Sequence, residues 1–179
     1  AKNELEAKKI IKPVKEELKK EFSKFIFSEN NDDLSSVLIK ELIKRKESLG
    51  FAESCTGGLL SSSITAIPGS SQVFKGSIIS YSNETKQSLL NIPEYLIKKY
   101  GAVSEEVAQN MAIKAKEKLN SDWSIAISGI AGPNGGSKEK PVGLVHIAIT
   151  GPNHQIINIK KKFNSSRNRI EIQRLSVNV

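Results

Sequence analysis

The sequence predicts an α/β layered fold built around a mixed sheet. Three observations predict it. Strand-like apolar runs alternate with segments of helical periodicity along most of the chain. The last two strand-like runs flank the turn Gly151-Pro152-Asn153 and read as neighbours in a hairpin. Loops at 54–58, 81–86 and 129–136 follow strand-like runs, and in α/β folds such loops at the carboxyl ends of strands carry the site.

Each element has its own warrant. In residues 4–27, Leu5, Ile11, Val14, Leu18, Phe22 and Phe25 recur mostly at three- and four-residue steps, which predicts an amphipathic helix despite Pro13. Lys24 to Ser28 then reads as a short strand. Glu29-Asn30-Asn31-Asp32-Asp33 is polar and turn-like, and marks the internal boundary between an appendage, 1–33, and a main domain, 34–179. Asp33 is placed to cap a helix through about Lys46, with Leu34, Val37, Leu38, Leu42 and Ile43 inward. Leu49–Glu53 is a strand, and the sharp loop Ser54-Cys55-Thr56-Gly57-Gly58 opens a helix toward Ile67. After the turn at Pro68-Gly69 come a strand over 74–81, a short helix over 83–90, and a helix over 104–119 capped by Ser104. Strands follow at 123–128, 142–149 and 156–163, and a last helix starts near Arg167.

Composition narrows the function classes. The chain has 179 residues, enough for one domain with a real core and a short appendage. Its charge of +8 is mostly lysine spread along the chain, and only 6% of residues are aromatic, so stacking platforms for nucleic acid are not expected. No stretch approaches the ~18 apolar residues that span a bilayer, and no signal-peptide pattern opens the chain. Cys55 stands alone, so no intrachain disulfide is possible, and it cannot complete a zinc cage with His146 and His154. A cytoplasmic protein without metal or cofactor is the expectation.

Three segments can carry chemistry. In Ala-Glu-Ser-Cys-Thr-Gly-Gly, 52–58, a side chain at a strand-to-helix turn is held in the open, and amides at the helix start can receive an anion. Ser54 or Cys55 is then a candidate nucleophile; the plain alternative is a glycine turn capped by Thr56. In Tyr-Ser-Asn-Glu-Thr-Lys, 81–86, a desolvated Lys86 can act as base, with Tyr81 as relay. The plain alternative there is a helix capped by Ser82 or Asn83 with a solvated lysine. Neither histidine falls in a candidate loop, which argues against a Ser-His-Asp triad. The third segment, Ser128 to Ser137, is longer and richer in glycine than a strand connection needs. Among the cations near element ends, Lys138, Lys140 and Arg167, the fork of Arg167 suits an anionic group best.

Taken together, these segments resemble the CinA C-terminal domain family, also known as the PncC-type nicotinamide mononucleotide amidohydrolases. The resemblance runs from about Leu34 to the end. It rests on the motifs at 52–58 and 81–86, Pro-Gly-Ser-Ser at 68–71, Gly-Ala-Val-Ser at 101–104, Ser-Gly-Ile-Ala-Gly-Pro-x-Gly-Gly at 128–136 and Lys-Pro-Val-Gly at 140–143. It implies a three-layer α/β/α sandwich, a homodimer, and hydrolysis of the carboxamide of nicotinamide mononucleotide to nicotinate mononucleotide and ammonia in pyridine-nucleotide salvage. By resemblance, Ser54 is the nucleophile and Lys86 the general base, assisted by Tyr81. Ser128, Asn83 and Arg167 contact substrate, and Thr56, Gly57, Gly58, Gly129 and Gly132 line the pocket. Residues 1–33 resemble the end of a linker domain in long family members, which implies a C-terminal piece of a larger protein or a shortened version. The alternative from the family name is a non-catalytic nucleotide-binding or interaction module tied to competence and DNA damage.

Overall fold

A computed structural model describes all residues, 1–179, and divides them into two compact units, Ala1–Leu38 and Ile39–Val179. In the first unit, α1 (Glu4–Phe22) starts at Asn3, whose side chain accepts the Glu6 N–H at 2.9 Å. Pro13 is accommodated within this helix, and none of its residues is buried. The turn after it is held by Lys15 and Lys19, which pair with Glu29 at 2.9 and 2.6 Å. The strand expected at 24–28 does not form; these residues are turn and coil, and Phe25 is 79% exposed. A short apolar run alone does not make a strand: the ladder needs a neighbour, and this segment pairs with no strand.

Helix α2 (Leu34–Arg45) begins where Asp33 accepts the Ser36 N–H at 2.7 Å. It buries Ile39 and Leu42, whereas Leu34 and Ile43, expected inward, are exposed. The sheet of the second unit comprises β1 (Leu49–Glu53), β2 (Phe74–Ile79), β3 (Trp123–Gly129), β4 (Leu144–Thr150) and β5 (Ile156–Lys162). Its order is β2-β1-β3-β4-β5. The first three are parallel, and β4 and β5 add antiparallel, as the mixed-sheet reading expects.

The helices are α3 (Leu59–Thr65), α4 (Asn83–Leu90), α5 (Glu94–Tyr100), α6 (Glu105–Leu119) and α7 (Arg169–Val177). Helix α5 had no counterpart in the sequence reading. It is seven residues long behind Pro93, too short to display a helical period.

Period-two alternation sends successive residues of β1 to opposite faces. Ala52, Ala126 and Ala148 lie opposite one another across β1, β3 and β4 and are all fully buried. They form a floor without bulk, on which α6 packs through Val107, Ala108, Met111, Ala112 and Ala115, with Leu90 of α4 and Leu96 and Ile97 of α5 completing the cluster. The neighbouring row, Glu53, Ile127 and Ile147, is also buried and faces the other way, where α3 contacts β1 and α7 contacts α3. Helices thus cover both faces, giving the three-layer α/β/α arrangement. Sequential strands β1 and β2 pair on one side and β3 joins β1 on the other, so the chain reverses direction across the sheet between β1 and β3. The carboxyl ends flanking such a reversal diverge and leave a crevice.

The alanine floor tolerates little extra volume. Ala126→Leu is expected to lower unfolding free energy by about 1–3 kcal/mol, read from urea denaturation, because α6 must lift from the sheet to admit the larger side chain.

Candidate active site

The crevice between β1 and β3 holds a cleft of about 250 Å³. Its walls come from four loops: Ser54 and Cys55 after β1, Tyr81 and Asn83 after β2, Ala102 and Val103 before α6, and 128–135 after β3. Arg169, the first residue of α7, closes the fifth side.

Ser54 sits one residue past β1, and its N–H donates to the Ile127 carbonyl at 3.0 Å, which ties the turn to β3. The chain then enters α3 through Gly58 at φ 105°, a left-handed conformation that favours glycine. Gly129 is required for a different reason. A Cβ there would press on Val145, the Leu144 carbonyl and the Cys55 sulfur.

Lys86 arrives from the opposite wall. Ser82 and Thr85 form a reciprocal capping box that starts α4, so Lys86 falls one turn into the helix. Its side chain is 1% exposed, and its Nζ lies 3.0 Å from Ser54 Oγ, 2.8 Å from the Ser80 carbonyl and 3.4 Å from the Tyr81 carbonyl. Burial pushes the amine's pKa below its ordinary value, outweighing the opposing pull of Cys55 and Glu84. All three neighbours can accept a hydrogen bond from the amine; the serine hydroxyl can instead donate to it once the amine has lost a proton. The solvated-lysine alternative is thereby overturned.

Cys55 lines the same cleft, but burial pushes its thiol up to about 12, so it is held as a neutral thiol despite Lys86 and Arg169 nearby. Its carbonyl accepts a hydrogen bond from Gln173 Nε2 at 2.7 Å. Ser128 is fully buried, and its hydroxyl donates to the Ala102 carbonyl at 2.7 Å, joining two walls of the cleft. Lys140 makes a second such tie, donating to the carbonyls of Tyr100 and Val103, the latter at 2.7 Å.

Several expectations are corrected. Arg167 lies on an exposed turn outside the cleft lining. The cleft arginine is Arg169, whose guanidinium donates to the Gly132 carbonyl at 2.8 Å and to the Tyr81 hydroxyl. The Tyr81 phenol therefore meets Arg169 rather than Ser54 or Lys86; only the Tyr81 backbone carbonyl approaches the amine. Thr56, Gly57 and Gly58 do not line the cleft. The amides at the start of α3 do not face it either: those of Gly58, Leu60 and Ser61 donate to the Glu53 carboxylate at 2.9, 3.1 and 2.8 Å. Asn83, Ser128, Gly129 and Gly132 lie in the cleft lining. No group of three His, Cys, Asp or Glu side chains is gathered to hold a metal ion, and no helix is long and apolar enough to cross a membrane.

Fold and cleft define the class: an α/β/α domain with a buried serine–lysine pair at the carboxyl ends of its parallel strands. The chain belongs to the CinA C-terminal domain family, whose pattern matches residues 31–179. A CinA-like protein of Prochlorococcus marinus subsp. pastoris is 83% identical over the whole chain, which corresponds to 41% of that protein's length. A CinA-like protein of Prochlorococcus marinus strain NATL2A is 47% identical over 94% of the chain and 39% of its own length. The chain thus spans about two fifths of these relatives. Among solved structures, competence/damage inducible protein CihA of Agrobacterium tumefaciens superposes with a TM-score of 0.79 at 35% identity, covering 80% of this chain and 87% of that one. A competence-damaged protein (CinA) superfamily member of Escherichia coli gives 0.76 at 33% identity over 80% of this chain and 82% of that one.

The buried amine makes stability depend on pH with a definite sign. Between the depressed folded-state value of Lys86 and its ordinary 10.5, the unfolded chain binds a proton that the native state does not, so stability from this group rises with pH. The thermal midpoint of the wild type minus that of Lys86→Met is therefore expected to increase as pH rises from the depressed value toward 10.5. A difference that is flat or falls over the range up to 10.5 contradicts the lowered pKa.

Proposed function

We propose that this domain is a nicotinamide mononucleotide amidohydrolase working through Ser54 and Lys86. The observation that carries the reading is the 3.0 Å approach of a buried amine, with its pKa lowered by desolvation, to the one serine hydroxyl at the strand-end turn. A serine needs a base to attack at neutral pH, and this cleft offers Lys86 in that place.

Ser54 Oγ forms a bond to the carboxamide carbon while its proton passes to Lys86 Nζ, and the carbonyl oxygen takes the negative charge. In this proposal the backbone N–H of Cys55, the residue after the nucleophile, serves as donor to that oxygen. The intermediate then collapses. The C–N bond breaks, the Lys86 ammonium protonates the nitrogen, and ammonia leaves behind an ester on Ser54. Water attacks that ester, Lys86 accepts the water's proton and returns one to Ser54, and the carboxylate product is released. The substrate's pyridinium, a fixed positive charge, favours the neutral amine while it is bound. Ala102, Val103, Ile130 and Ala131 supply apolar wall for the ring, Asn83 and Asn134 offer amides to the ribose, and Arg169 suits the phosphate. No metal or cofactor enters any step.

Cys55 as nucleophile is the less favourable assignment, because a thiol raised to about 12 by burial supplies almost no thiolate at neutral pH. The homodimer and the cytoplasmic setting implied by the family resemblance remain part of the proposal.

Ammonia release from nicotinamide mononucleotide tests the assignment. Ser54→Ala and Lys86→Met are each expected to lose at least about 1,000-fold in kcat, while Cys55→Ser retains turnover. The wild-type kcat/KM should fall as pH drops through the depressed value of Lys86, since protonation removes the base. Wild-type ammonia release no greater than that of Ser54→Ala overturns the assignment.

A further inference from the structure

Glu53 is fully buried at the end of β1, next to the proposed nucleophile, and the mechanism above makes no use of it. A buried carboxylate is costly unless its oxygens are satisfied. Here both are. One oxygen accepts the N–H groups of Gly58 and Leu60 at 2.9 and 3.1 Å, and the other accepts the Ser61 N–H at 2.8 Å and the Ser61 hydroxyl. The donors lie five to eight residues further along, on the far side of the Ser54 turn and in the first turn of α3.

We infer that Glu53 is a positioning residue for the reaction proposed above: its carboxylate clamps the start of α3 back onto the end of β1, and so fixes the intervening turn that holds Ser54 Oγ against Lys86 Nζ. Between the two anchors lie Ser54 to Gly57, and Gly57 and Gly58 both have positive φ, so the turn's own backbone has little stiffness. The clamp supplies it. The three amides also surround the carboxylate's charge on the sheet face away from α6, so Glu53 holds the turn without forming an ion pair with Lys86, whose Nζ contacts two carbonyls and a hydroxyl. A direct carboxylate partner would favour the protonated amine and remove the base. The start of α3 is consequently occupied from within and is not an anion site.

Glutamine at this position has the same shape, but its NH2 group must face either the Gly58 and Leu60 N–H groups or the Ser61 N–H, so part of the clamp is lost in either orientation. The test compares wild type, Glu53→Gln and Ser61→Ala, each as the full chain. It reads kcat and KM on nicotinamide mononucleotide, the rate at which an aryl sulfonyl fluoride labels Ser54 by mass spectrometry, and folding by circular dichroism. Glu53→Gln, assayed below its unfolding temperature, is expected to lose about 100-fold in kcat with KM nearly unchanged, as a displaced reacting group does. Labelling of Ser54 should slow in parallel, while the acid limb of the pH profile stays in place because the surroundings of Lys86 are kept. Ser61→Ala removes one charge-assisted hydrogen bond and is expected to lose about three- to tenfold in both.

A folded Glu53→Gln with wild-type kcat and wild-type labelling overturns the inference, as does a loss confined to KM. If Glu53→Gln does not fold, Ser61→Ala decides, and unchanged labelling and kcat in that variant overturn it. Wild type that labels at Ser54 but releases no ammonia removes the amidohydrolase reading alone, and labelling of the variants then judges Glu53. Wild type that neither labels nor turns over counts against both.

Discussion

The cleft depends on one amine kept out of water. Lys86 is surrounded by two backbone carbonyls and a hydroxyl, with no carboxylate in contact. Burial disfavours its charged form. Both carbonyls accept only, so they need its hydrogens; the hydroxyl can accept or donate. Under the proposed function, the lowered proton affinity and the contact with Ser54 Oγ suit Lys86 to act as base. A carboxylate added to this shell would reverse the effect.

The rest of the fold can be understood as what holds this arrangement in place. Three parallel strands bring the turns after β1 and β2 and the loop after β3 to one edge, where the reversal between β1 and β3 opens the crevice. The alanine row across β1, β3 and β4 lets α6 lie close, and α4, packed on α6, carries Lys86. From the other face, Glu53 grips the start of α3 and Gln173 of α7 holds the Cys55 carbonyl. The serine turn is thus tied from both of its ends. Membership of the CinA C-terminal domain family fits this reading, in that the matched residues, 31–179, contain every one of these groups.

Much of the cleft was legible in the sequence because its residues sit where local signals are strong. Ser54 follows a strand and precedes two glycines; Lys86 falls one turn after a serine cap; Ser128 ends an apolar strand. What escaped the sequence depends on distances through space. Arg167 and Arg169 differ by two residues, and only the Asn168–Glu171 capping box decides that the helix begins at Arg169 and turns it into the cleft. Thr56 to Gly58 read as pocket residues, yet the oxygen of a neighbouring glutamate draws the helix amides the other way. The strand expected at 24–28 had an apolar run but no ladder to join. Local chemistry announces itself in order along the chain, whereas partnership between distant groups does not.

The protonation state of Lys86 is the most direct point of attack. Nuclear magnetic resonance of protein carrying 13C at lysine Cε reads each amine's titration, and the Lys86→Met variant assigns the resonance. The account predicts one lysine that loses its proton at lower pH than the others, and whose signal vanishes in the variant. If every lysine, Lys86 among them, titrates in the ordinary range near 10.5, the buried amine is charged and the account fails.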